Sequence, residues 1–566
     1  MLNKYFLFLI VVLQISSLQA SSFFVSSSAT SMGDGSFDKP WLLQTAFNHP
    51  LALKPGDTVW IRGGRYTNTY DVQTSFSCKT NGTENAAIIF RNYNDERVLI
   101  DGQHTYTIYL SLGSCSYTWL WGLEILNSST VNRNTTRAGG ITCTAENMKF
   151  INLVIHDTGS GLDCWKTAKN SEAYGCLIYN IGNNENNNGN LEGHGHGMYL
   201  QNDTFGTKRI QNNIICNTYG NGIKIWQTTT TAALGNFDVQ RNIIFNGGAA
   251  SENLGGVGNN SRTHNFFVVA NGVNNPIRNT VIKHNYTFAG TNTPRPPVNA
   301  FGLNYGVQNM ILDSNYLTCQ TRLGFNNTPI FDASVKGNKI IGGIPAVYGV
   351  YLWGFLESDF SQNTFIPDLP TTGLEYFVLP NKYEPNRANV VIYNWSNEPT
   401  IKIDISKLGL IPGDPYELIN ALDFDNDILT GVYPADGVIT IPMIGHTAAQ
   451  AFGSTQSPVS QFPTFGAFIV RQKAVRTTNV AEKYKSFNVS IIPNPFSEKC
   501  IFTLEQGMTV QYKVSIYNLF GTFLQEHKFE QEKATINKEN LPAGIYIYQI
   551  SEFNGIPISK GKIAIE

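Results

Sequence analysis

A degenerate repeat of short apolar runs constrains the fold of this chain more than any other sequence feature. Nine runs align, and they are LEILN from Leu123, LVIHD from Leu153, CLIYN from Cys176, NIICN from Asn213, NIIFN from Asn242, NYTFA from Asn285, NYLTC from Asn315, NKIIG from Asn338 and NTFIP from Asn363. The shortest interval between starts is 23 residues, and irregular insertions lengthen the others. A coil with a fixed set of short strands and extensible turns gives this pattern. The repeat therefore predicts a right-handed parallel β-helix, which we place at residues 21–368.

The last six runs all begin with asparagine. Stacked coils bring equivalent residues close together, and an amide can both donate to its neighbour and accept from it. The recurrence predicts an asparagine ladder at one turn of the coil.

The start of the chain supports the same fold. GDGSFDKPWLLQTAFN, LKPGDTVWIRGGRYTN and RVLIDG follow one another between residues 33 and 102. This series resembles the opening coils and cap of secreted β-helix proteins in the pectate-lyase-like superfamily. That superfamily includes polysaccharide lyases, glycoside hydrolases, epimerases and adhesins, so the resemblance alone does not choose a function.

The N-terminal residues read as an export signal. Lys4 precedes an apolar stretch over residues 5–15, and small residues near Ala20 offer a cleavage site, which predicts a signal peptide at 1–20. No apolar segment is long enough for a transmembrane helix. The formal net charge of −2 provides no basic field, so we expect no nucleic-acid partner. We expect a monomer.

Two further modules follow the repeat. Alternating strand patterns such as NVVIYNWS and TIKIDIS predict a β-sandwich accessory domain at residues 369–474. Within it, DFDND at 423–427 is similar to a calcium loop, but Pro434 stands where an EF-hand needs its twelfth, acidic ligand, so a polar hairpin turn is the favoured interpretation. Calcium remains open as a cofactor.

After a linker at 475–486, residues 487–566 read as a small C-terminal β-sandwich. IPNPF at 492–496, LPAGIYIY at 541–548 and the terminal Lys-Gly-Lys closely resemble the sorting domain of type IX secretion cargo. The resemblance implies that the type IX machinery is a partner. It also implies passage through the periplasm to the outside or to the cell surface.

A second strand of the coil aligns on glycine, at Gly140, Gly161, Gly197, Gly222 and Gly349. The first and third residues after each glycine are apolar or Cys, so period-two alternation directs the second and fourth residues outward. If these coils are consecutive, Asp163, Tyr199 and Lys224 form one outward line. Trp165, Gln201 and Trp226 then form a parallel line. Because tryptophan faces stack on sugar rings, we interpret the second line as substrate-binding.

His194 and His196 stand at the entry to the middle strand, after the long loop GNNENNNGNLEG. Three interpretations compete: a metal site completed by Asp163 or Glu192, a catalytic role, and polar residues on a solvated turn. A lyase acting on a uronic-acid polymer neutralises the carboxylate, removes the C5 proton and protonates the leaving oxygen. We favour lyase catalysis by Asp163, His196, Tyr199 and Lys224, without a metal ligand set. The remaining candidates for substrate binding are Lys166 and His194, and the nearby cations Lys208 and Arg209 complete the polar set.

A fragmentary resemblance to polygalacturonase-type glycosidases keeps hydrolysis as the alternative. Leu162-Asp163-Cys164, Gly195-His196-Gly197 and Gly222-Ile223-Lys224 follow the order of that family's blocks, but one paired aspartate, an upstream block and an arginine are missing. Inverting hydrolysis needs two carboxylates, so Asp157 or Glu192 would have to assist Asp163. A non-catalytic, glycan-binding surface protein is the third possibility. Polysaccharide is the expected partner in all three.

Two of the eight cysteines, Cys143 and Cys164, share one inward position on neighbouring coils. Stacking would bring them close enough for a disulfide, but buried free thiols that pack as small apolar groups are more common.

Overall fold

The protein is described by a computed structural model. It covers residues 20–68, 70–71, 73–103, 108–187, 190–226, 233–251, 264–270, 276–289, 297–304, 307–324, 332–342, 350–352, 357–473, 489–504, 511–518, 523–552 and 557–566. The predicted signal peptide, except Ala20, and the predicted linker lie outside these residues. Contacts divide the chain into two units, 1–474 and 475–566.

Strands dominate the described chain, which confirms the all-β prediction. The helical segments within the described ranges are the α-helix Leu43–Phe47 and the 3-10 turns Tyr93–Asp95 and Glu357–Phe360. None of the helices described is long and apolar enough to cross a membrane.

Residues 22 to 366 wind into a right-handed parallel β-helix with three sheets, which we call sheets 1, 2 and 3 in the order in which each coil visits them. Sheet 1 contains the described strands Ser22–Val25, Thr58–Ile61, Ile88–Asn92, Thr118–Trp121, Lys149–Ile151, Glu172–Tyr174, Lys208–Gln211, Phe237–Gln240, Val281–Lys283, Ile311–Asp313 and Ser334–Lys336. Sheet 2 contains Gly64–Tyr66, Val98–Asp101, Glu124–Leu126, Val154–His156, Leu177–Tyr179, Ile214–Cys216, Ile243–Phe245, Tyr286–Phe288, Tyr316–Thr318, Lys339–Ile341 and Thr364–Ile366. Sheet 3 contains Thr74–Ser77, Ile108–Leu112, Gly139–Cys143, Leu162–Cys164, Met198–Leu200, Ile223–Trp226, His264–Ala270, Val298–Asn304, Thr321–Leu323 and Val350–Leu352.

Two small sheets accompany the three sheets of the coil. One is the antiparallel hairpin of Asn183–Asn187 and Asn190–His194, and the other is the parallel pair of Ile277–Arg278 and Val307–Gln308.

The nine runs of the sequence repeat lie on consecutive neighbouring strands of sheet 2, which confirms that each run marks one coil of the β-helix. The inward residues of these strands stack in one apolar column in which Ile155, Ile178, Ile215 and Ile244 pair in register and are fully buried. Burial of one such side chain contributes about 1.5–3 kcal/mol. Each coil therefore stabilises the next through like-on-like stacking.

The predicted asparagine ladder is present at the turn from sheet 1 to sheet 2. The Nδ2 group of Asn285 donates to Oδ1 of Asn315 at 3.0 Å and to the backbone oxygen of Val239 at 2.9 Å. The Oδ1 atom of Asn285 accepts from Nδ2 of Asn242 at 2.9 Å. The same bonds link the other rungs, Asn213 with Asn242, Asn315 with Asn338, and Asn338 with Asn363. The ladder satisfies buried amides that coil stacking removes from water.

A β-sandwich covers the outer face of sheet 2. Its five-stranded sheet contains Leu374–Pro380, Arg387–Asn394, Phe465–Gln472, Pro415–Asn420 and Ile428–Val432, and its two-stranded sheet contains Thr400–Asp404 and Val438–Pro442. Alternate residues of the larger sheet face opposite ways. Val390 and Phe468 pack inside the sandwich, whereas Tyr393 and Phe465 pack on Phe288 of the β-helix. The sandwich is therefore docked through an apolar interface.

The segment DFDND forms the loop of an antiparallel hairpin in this sandwich. Asp423 accepts from Asn426 and Thr447, and Asp427 accepts from Asn420 and the backbone nitrogen of Thr447. These carboxylates are engaged in turn hydrogen bonds, in agreement with the favoured interpretation.

The C-terminal unit consists of two antiparallel sheets. One contains Val489–Ile492, Lys499–Leu504 and Lys533–Asn537, and the other contains Phe523–Lys528, Tyr512–Tyr517, Gly544–Glu552 and Pro557–Ile565. Its own core includes Phe502, Val514, Ile550 and Ile563, as the alternation of apolar residues predicts.

Candidate functional site

The line of outward residues predicted from the glycine alignment exists on sheet 3. Asp163 pairs in register with Tyr199, and Tyr199 pairs with Lys224, on three neighbouring strands. The alternate residues Leu162, Cys164 and Leu200 are buried inside the coil.

Stacked glycines explain why this alignment works. A Cβ atom on Gly161 would lie 2.3 Å from the backbone oxygen of Gly197, and one on Gly197 would lie 2.8 Å from that of Gly222. Gly195 has φ of 93°, a conformation that favours glycine, and a Cβ atom there would meet the oxygen of Gly159 at 2.1 Å. The Gly-His-Gly sequence therefore lets the coils approach closely while it presents His196 at the start of the strand.

Tyr199 lies at the centre of the site. Its ring centroid is 5.2 Å from that of Trp165, 6.4 Å from that of Trp226 and 6.1 Å from that of His196. His196 and Tyr199 thus lie on the same face of the β-helix, a placement on which the catalytic hypothesis depends. We call Asp163, His196, Tyr199 and Lys224 the polar cluster.

His196 is buried and held at both ring nitrogens. The backbone nitrogen of Asn221 donates to Nδ1 at 3.1 Å, and Nε2 lies 3.2 Å from Nζ of Lys224. Because Nδ1 accepts a hydrogen bond, the proton of the neutral imidazole sits on Nε2, the nitrogen directed at Lys224. The imidazole of His196 is therefore placed to orient the amine of Lys224 through its Nε2 atom.

Aromatic rings surround the amine of Lys224. Its Nζ atom lies 3.9 Å from the ring centroid of Trp226, 5.5 Å from that of Tyr199 and 5.8 Å from that of Phe267. Ring faces attract a cation and limit the positions that the flexible side chain adopts.

Two proton-bearing groups have shifted pKa values. Burial raises the pKa of Asp163 to about 7, against the opposing effect of a hydrogen bond from the hydroxyl of Ser160. Burial also raises the pKa of Tyr199 to about 12, although Gln201 donates to its hydroxyl oxygen at 3.3 Å. At neutral pH the phenol is therefore protonated and Asp163 is close to half-protonated.

The predicted substrate-binding residues divide into exposed and buried groups. Trp165 is 37% exposed, Trp226 and Lys166 are half-buried, and Lys166 follows Trp165 at the start of a turn. Gln201 is buried, which differs from the expected sugar contact, because its amide donates to Tyr199 and to the backbone oxygen of Trp226.

The two other cations named from the sequence lie elsewhere. Lys208 is fully buried and its Nζ atom donates to the backbone oxygens of Cys164 and Trp165, at 3.3 and 3.0 Å. Arg209 is exposed on sheet 1. Both were wrong as members of the site, because strand alternation at 208–211 turns one inward and the other onto a different face.

His194 belongs to the antiparallel hairpin of Asn183–Asn187 and Asn190–His194, which forms within the long loop. Its Nδ1 atom lies 2.9 Å from Oε1 of Glu185 on the opposite strand, and its ring centroid is 5.9 Å from that of His196. Across the residues that the structure describes, no group of three or more His, Cys, Asp or Glu side chains is placed to hold a metal ion.

Asp157, proposed as an assisting carboxylate, belongs to a different cluster. It is buried, binds the guanidinium of Arg133 and lies 2.8 Å from Nδ1 of His156. His156 also contacts Glu124, which Arg97 holds with two hydrogen bonds. These charges support the contact between β-helix and sandwich, so Asp157 is not available to a sugar on sheet 3.

Cys143 and Cys164 pair in register and are buried free thiols.

The sequence reasoning missed three residues that shape the site. Ser160 and Asn221 contact Asp163 and His196. Each stands within three residues of an aligned glycine, a proximity that could have drawn attention to them. Phe267 continues the outward line beyond Lys224, but its strand follows a long insertion and lacks the aligned glycine.

Residues 23–259 match the family described as Pel9A-like, right-handed beta helix region, and residues 490–566 match the secretion system C-terminal sorting domain. The second match identifies the protein as secreted or cell-surface cargo of type IX secretion. No curated relative matches this sequence.

Three solved structures are similar to this chain at low identity. The crystal structure of pectate lyase Pel9A is 15% identical over 57% of this chain and 80% of its own, with a TM-score of 0.40. A rhamnogalacturonan lyase is 12% identical over 62% and 90%, with a TM-score of 0.47. PfbA, a surface adhesin of Streptococcus pneumoniae, is 13% identical over 55% and 82%, with a TM-score of 0.33.

Proposed function

We propose that this secreted right-handed parallel β-helix protein of the pectate-lyase-like superfamily, with its type IX sorting domain, cleaves an anionic polysaccharide by β-elimination on the outer face of sheet 3. The observation that carries the proposal is the contact of the Lys224 amine with the His196 imidazole, directly beside the protonated phenol of Tyr199.

The base in this proposal is Lys224, assisted by His196. Elimination breaks the C5–H bond of a uronate, and the released electron pair forms the C4–C5 double bond as the C4–O bond breaks. An amine in its neutral form can take the C5 proton. His196 supports this role because its Nε2 atom lies 3.2 Å from Nζ and holds the amine in place, and the ammonium formed in the step releases its proton to solvent.

The acid in this proposal is Tyr199. The leaving oxygen needs a proton when the C4–O bond breaks. A phenol with a pKa of about 12 keeps its proton at neutral pH, and the bond from Gln201 fixes its position. Tyr199 also adjoins Lys224 in register, so base and acid reach the same sugar.

In this proposal Asp163 and the side chains around it bind the polysaccharide. Because Asp163 keeps much of its proton near pH 7, it repels an anionic substrate less than an exposed aspartate would. Trp165 and Trp226 offer ring surface to sugar faces, and Lys166 with His194 adds polar contacts at the edge. These remain proposed roles.

The test incubates the mature protein with a panel of anionic glycans and follows the ultraviolet absorbance of unsaturated uronate ends. We expect absorbance to rise on at least one glycan, and Lys224→Met to lower the rate by about 10²–10⁴-fold, the usual contribution of a general base. Arg209→Gln, on sheet 1, is the matched control and should keep the full rate. Equal melting temperatures would show that both variants fold.

Other outcomes assign the site differently. Reducing ends without absorbance would replace elimination by hydrolysis, with Asp163 as acid. Binding without any cleavage would leave a glycan-binding surface protein.

A further inference from the structure

Beyond Lys224, the outward line of sheet 3 continues through Phe267 to residues with no assigned role. Lys224 pairs in register with Phe267, Phe267 with Ala300, and Ala300 with Arg322. Arg322 points outward, since its neighbours Thr321 and Leu323 are buried in the coil.

Arg322 is held in place. It is half-buried, and its Nε atom donates to Oε1 of Gln320 at 2.6 Å. Anchoring one edge of the guanidinium fixes its plane, and a planar guanidinium matches a carboxylate better than an ammonium does. Ala300, between Phe267 and Arg322, is fully buried in an apolar cluster with Trp226, Phe267 and Val298.

The line is polarised along the axis of the β-helix. Toward the N-terminal coils the line continues from Asp163 through Thr142, Ser111 and Ser77, which carry hydroxyls and no charge. Toward the C-terminal coils it carries the amine of Lys224 and the guanidinium of Arg322. An anionic chain is therefore favoured electrostatically from Lys224 toward the C-terminal coils.

We propose that Arg322 is a substrate subsite that binds the carboxylate of a uronate three sugar residues away from the one that Lys224 engages. Three strand steps of about 4.8 Å place Lys224 and Arg322 about 14 Å apart. A pyranose in an extended chain advances by about one such step, so a polysaccharide parallel to the helix axis spans the distance from Lys224 to Arg322 with about three sugar residues. This subsite rests on the proposed function, in that it assigns an anionic polysaccharide to sheet 3.

The subsite predicts a dependence on chain length. A uronate dimer or trimer engaged at Lys224 does not reach Arg322, whereas a pentamer or hexamer does. With uronate oligomers of the most active or most tightly bound glycan, we expect Arg322→Gln to weaken binding of the pentamer and hexamer about 10-fold, the value of one charge-assisted hydrogen bond. Binding of the dimer and trimer should not change, and Arg322→Lys should restore part of the loss.

Calorimetric titration provides the binding constants and steady-state rates provide KM, with Arg209→Gln as the charge control. Equal loss at every length, or no loss at any length, would overturn the subsite while leaving the catalytic proposal intact. Length-dependent binding without cleavage would support the subsite and refute the lyase. Absence of both binding and cleavage would overturn both.

Discussion

Asp163 lies half-buried on the outer face of sheet 3 with a pKa of about 7, against an ordinary value of 3.8. A raised pKa in the folded state means that this state holds the proton more tightly than the unfolded chain. The contribution of Asp163 to stability is therefore full below about pH 4 and is lost as the pH rises through 7.

Asp163→Asn removes this titration while it keeps the size of the side chain. We expect the free energy of unfolding of the variant, relative to the native protein, to increase between about pH 4 and pH 7 by on the order of 1–3 kcal/mol. Urea unfolding at a series of pH values measures the difference, with exposed Asp38→Asn as the control. A difference that does not vary with pH would contradict the buried carboxyl.

His156, in the buried cluster with Asp157 and Glu124, has a raised pKa although burial acts against the shift. Burial alone would lower its pKa, but hydrogen bonds from its two ring nitrogens to Asp157 and Glu124 outweigh burial and raise the pKa to about 9. The stabilisation that it provides is complete below about pH 6.5 and is lost as the pH rises through 9.

His156→Gln should therefore cost most below about pH 6.5. We expect a loss of about 3 kcal/mol at pH 6, because the variant leaves buried carboxylates without their cation, and a smaller loss at about pH 10. Thermal unfolding of both proteins across this range measures the effect. An equal loss at both ends would mean that the imidazole is neutral in the fold.

The asparagine ladder is the element that fixes the turn from sheet 1 to sheet 2. Asn285→Ala would leave the amide of Asn242 and its backbone N–H without their acceptor in a buried turn. Unsatisfied buried groups cost about 1–3 kcal/mol each, so we expect a loss of about 3 kcal/mol in unfolding free energy. Ser334→Ala, exposed on sheet 1, should stay within about 0.5 kcal/mol. Equal effects of the two substitutions would show that the ladder does not contribute to stability.

For the molecule as a whole, the outer face of sheet 2 is apolar because the sandwich covers it. Leu177, Ile214, Ile243 and Phe288 are buried there against sandwich side chains. A chain that ends at residue 368 would expose this face, and a surface of that kind promotes association.

We expect the chain 21–368 to aggregate and the chain 21–473 to remain soluble with the melting temperature of its unit unchanged. The second chain retains both the β-helix and the sandwich of unit 1 and lacks the separate C-terminal unit. Size-exclusion chromatography and thermal unfolding of the two truncations measure these outcomes. A soluble, monodisperse 21–368 would show that the sandwich is an appended module without a structural role.

The amino-acid sequence by itself determined the coil, because stacking repeats the same environment at each turn and selects the same residue types there. The apolar runs, the ladder asparagines and the stacked glycines all predicted positions that the structure confirms, and the register of Asp163, Tyr199 and Lys224 followed from them.

Only the tertiary structure decided what these side chains contact. Gln201 and Lys208 are polar residues, as exposed residues commonly are. In the structure Gln201 is buried against Tyr199, and Lys208 donates to a backbone carbonyl inside the coil. Asp157 forms an ion pair with Arg133, and the backbone N–H of Asn221 fixes the tautomer of His196. Alternation along a strand gives the face of a residue, whereas its partners come from turns and neighbouring domains that no local pattern encodes.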